Sequence, residues 1–307
     1  MSEAKIIGFM KQRYLAAAFS VVLILASIGS FFVNGMSLGL DFTGGALVEL
    51  KYEKTADLNQ IRSEIAEQGY PGASVIYFGS DRDVQIRFQT DDPQKGGEVA
   101  EAFIANSTEP VELLRISYVG PQIGEELTND GGLGLLFSLA VVMAYVALRF
   151  QFKFSVGAVA ALIHDVIIVL GVFSIFQLDF DLTVLAAVLA VIGYSLNDTI
   201  VVADRIRENF RIVRNKTPRE VIDLSLTQTL ERTLITSLTT LLVLLALFFV
   251  GGEMIHNFAL ALIVGVVIGT YSSIYVAANV LLAMKISRED LLPPQVEKEG
   301  EELEELP

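Results

Sequence analysis

Six long apolar runs divide this chain, at residues 14–33, 133–148, 154–176, 182–203, 233–250 and 258–284. A bilayer core of about 30 Å needs about 20 apolar residues in a helix, so each run is read as a membrane span. The first exceeds the roughly 7–15 residues of a signal-peptide core, and no convincing A-x-A cleavage pattern follows it; it reads as an uncleaved anchor. Between the first two runs the pattern changes. Residues 46–52, 74–78, 84–88 and 111–119 alternate as strands, with a turn at Gly79-Ser80-Asp81. Residues 56–68 form an amphipathic helix with Leu58, Ile61 and Ile65 on one face, and 98–106 a second helix. The order βαββαβ is the split-βαβ, ferredoxin-like pattern.

The expected fold is therefore a polytopic α-helical membrane protein of six spans, with an α+β domain between helices one and two. The expected division is 1–33, 34–132, 133–285 and a tail 286–307. Lys and Arg set the orientation. Arg205, Arg207, Arg211, Arg214, Lys216 and Arg219 fall between spans four and five, Arg149 and Lys153 between two and three, and Lys285 and Arg288 after six. The short connections 177–181 and 251–257 have none. Both termini then lie in the cytoplasm and residues 34–132 outside it. The basic 204–219 cluster serves either cytoplasmic partners or lipid headgroups, or is a plain topology signal.

Charge narrows the functions. The formal net charge is −14. Residues 34–132 hold 17 acids against 7 bases, and the tail 8 against 2. An acidic exterior argues against nucleic acid and against docking on anionic lipid, and suits a soluble exported domain. There is no cysteine and there are two distant histidines, so no metal site and no thiol chemistry are expected. The acid pairs Asp91-Asp92 and Glu125-Glu126 read as solvated.

The candidate chemistry lies in the spans. Asp198 sits inside span four, where a carboxylate costs roughly 2.5–3.5 kcal/mol at a helix centre and is usually tied to an ion or proton pathway. Tyr194, Ser195, Asp198 and Thr199 share a helix face, and Asn197 borders it. Span five runs the opposite way and opens with Arg232, at a depth similar to that of Asp198. Thr229, Arg232/Thr233, Thr236 and Thr240 make one polar stripe. An arginine near a carboxylate favours its charged form and burial favours the neutral one, so a changing distance would alternate proton binding and release. The competing readings are an arginine that snorkels to the interface, a structural carboxylate, and hydroxyls that only pack helices. His164 and Asp165 lie near the middle of span three as secondary candidates. Gly265-x-x-x-Gly269 with Ser272 and Ser273 in span six reads as helix packing, and His256 as a turn residue.

These residues stand in long ordered motifs. GLDFTGG at 39–45, HDV at 164–166, FDLT at 180–183, GYSLNDTIVVADRIREN at 193–209 and SLTQTLERTLITSLTT at 225–240 resemble the SecD–SecF family of bacterial protein-export membrane proteins, and within it the SecF half. The resemblance implies an inner-membrane motor of the resistance-nodulation-division type, with no cofactor and no enzymatic reaction. It implies a homologous SecD half, the SecYEG channel, YajC and YidC as partners, and exported preproteins as clients drawn outward by the proton motive force. Asp198 and Arg232 map onto the family's proton-coupling pair, with Thr236 on the stripe beside them. Gly39, Asp41, Gly44 and Gly45 map onto its first signature, where Asp41 shapes the junction below the outward domain. The alternatives are a small-molecule efflux pump of the same superfamily, a scaffold without proton chemistry, and an intramembrane protease.

Overall fold

A computed structural model describes residues 6–107 and 110–291. Most of the acidic tail, from residue 292, lies outside the described residues. Among the described residues six helices are long and apolar enough to span a membrane: α1 (Arg13–Asn34), α5 (Pro121–Arg149), α6 (Phe152–Phe176), α7 (Leu182–Ile212), α8 (Pro218–Val250) and α9 (His256–Ala283). Between α1 and α5 come the short α2 (Leu40–Thr43), β1 (Gly45–Tyr52), α3 (Leu58–Glu67), β2 (Ser74–Phe78), β3 (Ser80–Phe88), α4 (Lys95–Asn106) and β4 (Val111–Val119).

Three helices outrun the apolar segments that reveal them. Helix α5 starts at Pro121, twelve residues before the expected span, and carries the solvated Glu125-Glu126 pair. Helix α7 continues to Ile212, through residues expected to be connection. Helix α8 starts at Pro218 behind a reciprocal cap: Thr217 Oγ1 accepts from Glu220 N, and the Glu220 carboxylate accepts from Thr217 N. Hydropathy reports the apolar slab, whereas a helix ends only where its hydrogen bonds or caps end.

The strands form one sheet in the order β2-β3-β1-β4, all pairs antiparallel. The β2–β3 turn is tighter than expected, with Gly79 alone at φ 77° between Phe78 and Ser80. Ala46, Val48 and Leu50 of β1 and Val84, Ile86 and Phe88 of β3 point to one face, where Ile61 and Ile65 of α3 and Val99, Ala100 and Phe103 of α4 close a core. Asp57 caps α3 by accepting from Asn59 N and Gln60 N.

The opposite sheet face looks toward the ends of the membrane helices, and the loop 177–181 joins the two layers. Arg87 of β3 and Ser37 both donate to Asp179 Oδ1, at 3.1 and 2.9 Å. Phe180 N donates to Ser37 O and Gly39 N to Phe180 O, both at 2.8 Å. Asp41 then accepts from Leu182 N at 3.1 Å, which satisfies an orphan donor at the start of α7. Gly44 and Gly45 stand at φ +66° and +109°. A Cβ on Gly45 would meet Phe88 O at 2.3 Å, so only glycine fits the turn from α2 into β1.

Helix α9 is the centre of the bundle and packs on α6, α7 and α8. A Cβ on Gly265 would meet Val191 Cγ2 at 2.1 Å, and one on Gly269 would meet Ser195 Cβ at 3.1 Å. The Gly265/Gly269 pattern is thus a close-approach seam against α7, as its spacing predicts. At the other end of α6, Lys153 donates to Asp290 at 2.7 Å, and that bond holds the Asp290 carboxyl below its ordinary range.

Gly265→Ala should lower the stability of the purified protein by about 1–3 kcal/mol through overpacking, and Val191→Ala should restore part of the loss. Thermal unfolding in detergent checks this; equal stability of wild type and Gly265→Ala contradicts the seam. Asp41→Ala should cost about 0.5–1.5 kcal/mol of local stability as a lost hydrogen bond to the first amide of α7, read as faster amide exchange at Leu182.

Candidate functional site

Two carboxylates stand inside the bundle on facing helices. Asp165 of α6 is 1% exposed and Asp198 of α7 is half-buried. Buried charge is tolerated only where it is paired or hydrogen-bonded. Here the donors are almost all hydroxyls.

Asp198 accepts from Thr233 Oγ1 of α8 at 2.7 Å and from Ser273 Oγ of α9 at 2.6 Å. Arg232 differs from the expectation. Its side chain is exposed, and among the described residues no ion pair within 4.0 Å joins it to Asp198. The polar stripe of α8 also turns out rotated. Thr229, Thr233 and Ser237 are buried, Thr236 is exposed and Thr240 half-exposed. Steps of four keep Thr229, Thr233 and Ser237 on one face, whereas Arg232 and Thr236 sit on its flank. Thr240 turns its hydroxyl back to Thr236 O, and Thr239 does the same. Ser237 bonds Thr270 of α9 and accepts from Tyr194. Asn197 is exposed and Thr199 Oγ1 is buried with no partner.

Asp165 is held more closely. Oδ2 accepts from Ser195 Oγ of α7 at 2.5 Å and from Ser272 Oγ of α9 at 2.7 Å. Oδ1 faces His164 Nδ1 at 2.8 Å. His164 Nε2 faces Ser20 Oγ of α1 at 3.2 Å, and Ser20 faces Tyr271 OH at 3.1 Å. Tyr271 donates its one proton to Ala16 O. Ser20 therefore donates to Tyr271, and His164 Nε2–H donates to Ser20. His164 Nδ1 then faces Asp165 Oδ1, so every polar atom of the buried pair has a hydrogen-bond partner. This explains how a carboxylate so fully buried needs no arginine.

Of the expected site residues, the structure brings Asp165, His164 and Ser195 together in one cluster and puts Asp198 in its neighbour. It leaves Arg232, Thr236 and Asn197 on the exposed flank. Gly39, Asp41, Gly44 and Gly45 lie at the joint between domain and helices. Sequence reasoning missed Thr233 as the donor to Asp198, Ser20 and Tyr271 as the end of the histidine chain, and Ser272-Ser273 as carboxylate ligands. Two consecutive serines one turn beyond a small-residue seam, level with two intramembrane acids, were the available signal. Among the described residues no group of His, Cys, Asp and Glu is arranged to hold a metal.

Fold and site together define a polytopic membrane protein whose helix bundle encloses hydroxyl-bound carboxylates beneath a small α+β domain. Residues 99–287 match the family model for the protein export membrane protein SecD/SecF, C-terminal, and residues 29–56 match the SecD/SecF GG motif. The chain belongs to the SecD/SecF family, on the SecF side. It is 51% identical to the protein translocase subunit SecF of Vibrio alginolyticus, over 100% of this chain and 99% of that one. It is 52% identical to that of Pseudomonas aeruginosa, over 94% and 95%. The crystal structure of SecDF, a translocon-associated membrane protein from Thermus thermophilus, superposes with a TM-score of 0.85 at 36% identity. That match covers 93% of this chain and 39% of the SecDF chain, so the chain spans well under half of that solved protein.

Thr233→Ala should destabilise the protein by about 1–3 kcal/mol, because it leaves a carboxyl oxygen inside the bundle without its donor. Arg232→Ala should stay within about 0.5 kcal/mol, as a substitution away from such contacts. Unfolding of the two variants side by side checks the rotated stripe; the reverse ranking contradicts it.

Proposed function

We propose that the chain is the SecF-type half of a proton-driven export motor. It pairs with a SecD-type half, works beside the SecYEG channel, and promotes export of preproteins across the bacterial inner membrane. Both termini are cytoplasmic and the domain 34–132 is periplasmic on this reading; further association with YajC and YidC rests on the family resemblance. The chain is a translocase subunit, and the reading gives it no enzymatic reaction. The efflux-pump and scaffold alternatives have no observation in their favour.

The single observation that carries the reading is the placement of Asp198. Its helix, α7, is fastened at one end to the α+β domain through Asp41 and, by the preceding loop, through Asp179 and Arg87. A charge change at Asp198 therefore acts on a rod whose far end holds the domain. One charge crossing 100 mV is worth roughly 2.3 kcal/mol, about a fifty-fold bias on a conformational equilibrium. That suffices to move a tethered domain but not to unfold a stable client.

Arg232 enters as a second-state partner. Adjacent residues on a helix are about 100° apart, so turning α8 by that amount about its axis exchanges Thr233 for Arg232 in front of Asp198. Hydroxyl contact and guanidinium contact are then two alternating environments for one carboxylate, the condition for binding and releasing a proton.

In membrane vesicles holding the complete export complex, Asp198→Asn should abolish the part of preprotein export that needs a proton gradient, while co-purification with the SecD half is retained. Arg232→Met should do the same. Export by Asp198→Asn at the wild-type level sinks the coupling.

A further inference from the structure

Helix α9 brings the two carboxylates into one device. Ser272 Oγ lies 2.7 Å from Asp165 Oδ2, and the next residue, Ser273, has its Oγ 2.6 Å from Asp198 Oδ2. Both serines are fully buried. Each has a second acceptor within reach on its own helix: Gly269 O at 3.1 Å for Ser272, and Thr270 O at 3.0 Å for Ser273. A hydroxyl carries one proton and gives it to one acceptor at a time. An ionised carboxylate wins that choice, because a bond to a charged acceptor is roughly twice as strong. A neutral carboxyl group has its own proton to donate, and the serine is then free to turn to the helix carbonyl. Each serine thus reads the charge of the acid it faces.

We propose that Ser272 and Ser273 are positioning residues that make the protonation of Asp165 and Asp198 interdependent through the geometry of α9. This rests on the proposed role of Asp198 and assigns the acid–histidine pair of α6 a part in it. The coupling has a path. A serine bonded back to its own helix carbonyl bends the helix. The carbonyls concerned belong to Gly269 and Thr270, and Gly269 is the residue against which Ser195 packs. Ser195 is the other hydroxyl donor to Asp165 Oδ2. A bend caused by Ser273 therefore reaches both donors of the second acid, one on the same turn and one across the seam. The titratable groups on the packed elements are His164 on α6, Tyr194 on α7, Glu231 and Arg232 on α8, and Tyr271 on α9; α1 brings Ser20. Only His164 bonds either carboxylate directly.

The test is infrared difference spectroscopy of the complete complex in proteoliposomes across a pH series. The protonated-carboxyl bands of the two acids are assigned by their disappearance in Asp165→Asn and Asp198→Asn. Ser272→Ala touches only Asp165, yet it should move the titration midpoint of the Asp198 band by about half a pH unit or more, and Ser273→Ala should move that of Asp165 likewise. Asp165→Asn, which leaves both serines in place, should also move the Asp198 midpoint. If each serine variant moves only the band of the acid it touches, and Asp165→Asn leaves Asp198 unmoved, the proposal is overturned. Vesicle export separates the two readings. Independent bands with export lost in Asp198→Asn refute the interdependence alone, whereas coupled bands with export intact in Asp198→Asn refute the motor and leave the coupling standing.

Discussion

The structure depends on one constraint: an acid within a membrane-spanning bundle must find donors without water. Asp165 and Asp198 meet it with serine and threonine hydroxyls drawn from α7, α8 and α9, and Asp165 adds a histidine. Hydroxyls satisfy a carboxylate without fixing its charge. A guanidinium in the same place would hold it ionised, and an apolar wall would hold it neutral. To supply several hydroxyls at such short range, backbones must come close. The Gly265 and Gly269 seam provides that approach, so the packing of α9 on α7 and the chemistry of the acids share one cause.

The same economy of polar contacts joins the membrane helices to the domain. Asp179 gathers Arg87, Ser37 and Asn257 around one loop residue, and Asp41 reaches the first amide of α7. Between the sheet and the helix ends lies a cleft of about 510 Å³, lined by Glu49, Gln85, Arg87, Arg115 and Asp179 among others. The layers thus meet across a cleft of mixed lining, which also includes Leu47, Ile76 and Leu178, through a few directional bonds and not through a continuous apolar core. The two hydrophobic cores, one in the bundle and one in the domain, are separate. Such a joint can hinge without exposing either core.

Much of this was legible in the sequence, because the patterns concerned are long. Six apolar runs gave the helices, and period-two alternation gave β2 and β4 to the residue. Costly residues in those runs marked Asp165, His164 and Asp198. What failed was finer. The rotational phase of α8 decides whether Arg232 or Thr233 faces Asp198, and one residue is about 100°. The stripe of threonines on α8 is wide enough to be read with either phase. Ser272 and Ser273 were read as packing because a small hydroxyl serves both purposes, and only the level of the neighbouring acids separates them. The helical stretches 121–132 and 204–212 were missed because they are polar, and their helicity follows from continuation of an existing helix, not from an apolar face of their own.

Helix α5 and most of α8 turn large apolar side chains outward, among them Leu136, Phe137 and Val141 on one and Leu234, Leu238 and Leu242 on the other. Lipid alone accounts for those. Asn197, Arg232 and Thr236 lie exposed among them, where an ionisable side chain of a spanning helix turns to protein, to a water-filled cavity or, by snorkelling, to the interface. The SecDF chain that this fold matches is more than twice as long. A homologous half laid over the α7–α8 flank would cover those three residues and leave the buried hydroxyl cluster untouched. On that arrangement Thr233 serves the acid from within the half and Arg232 serves it from the boundary between halves, so the state of Asp198 becomes a function of how the two halves meet.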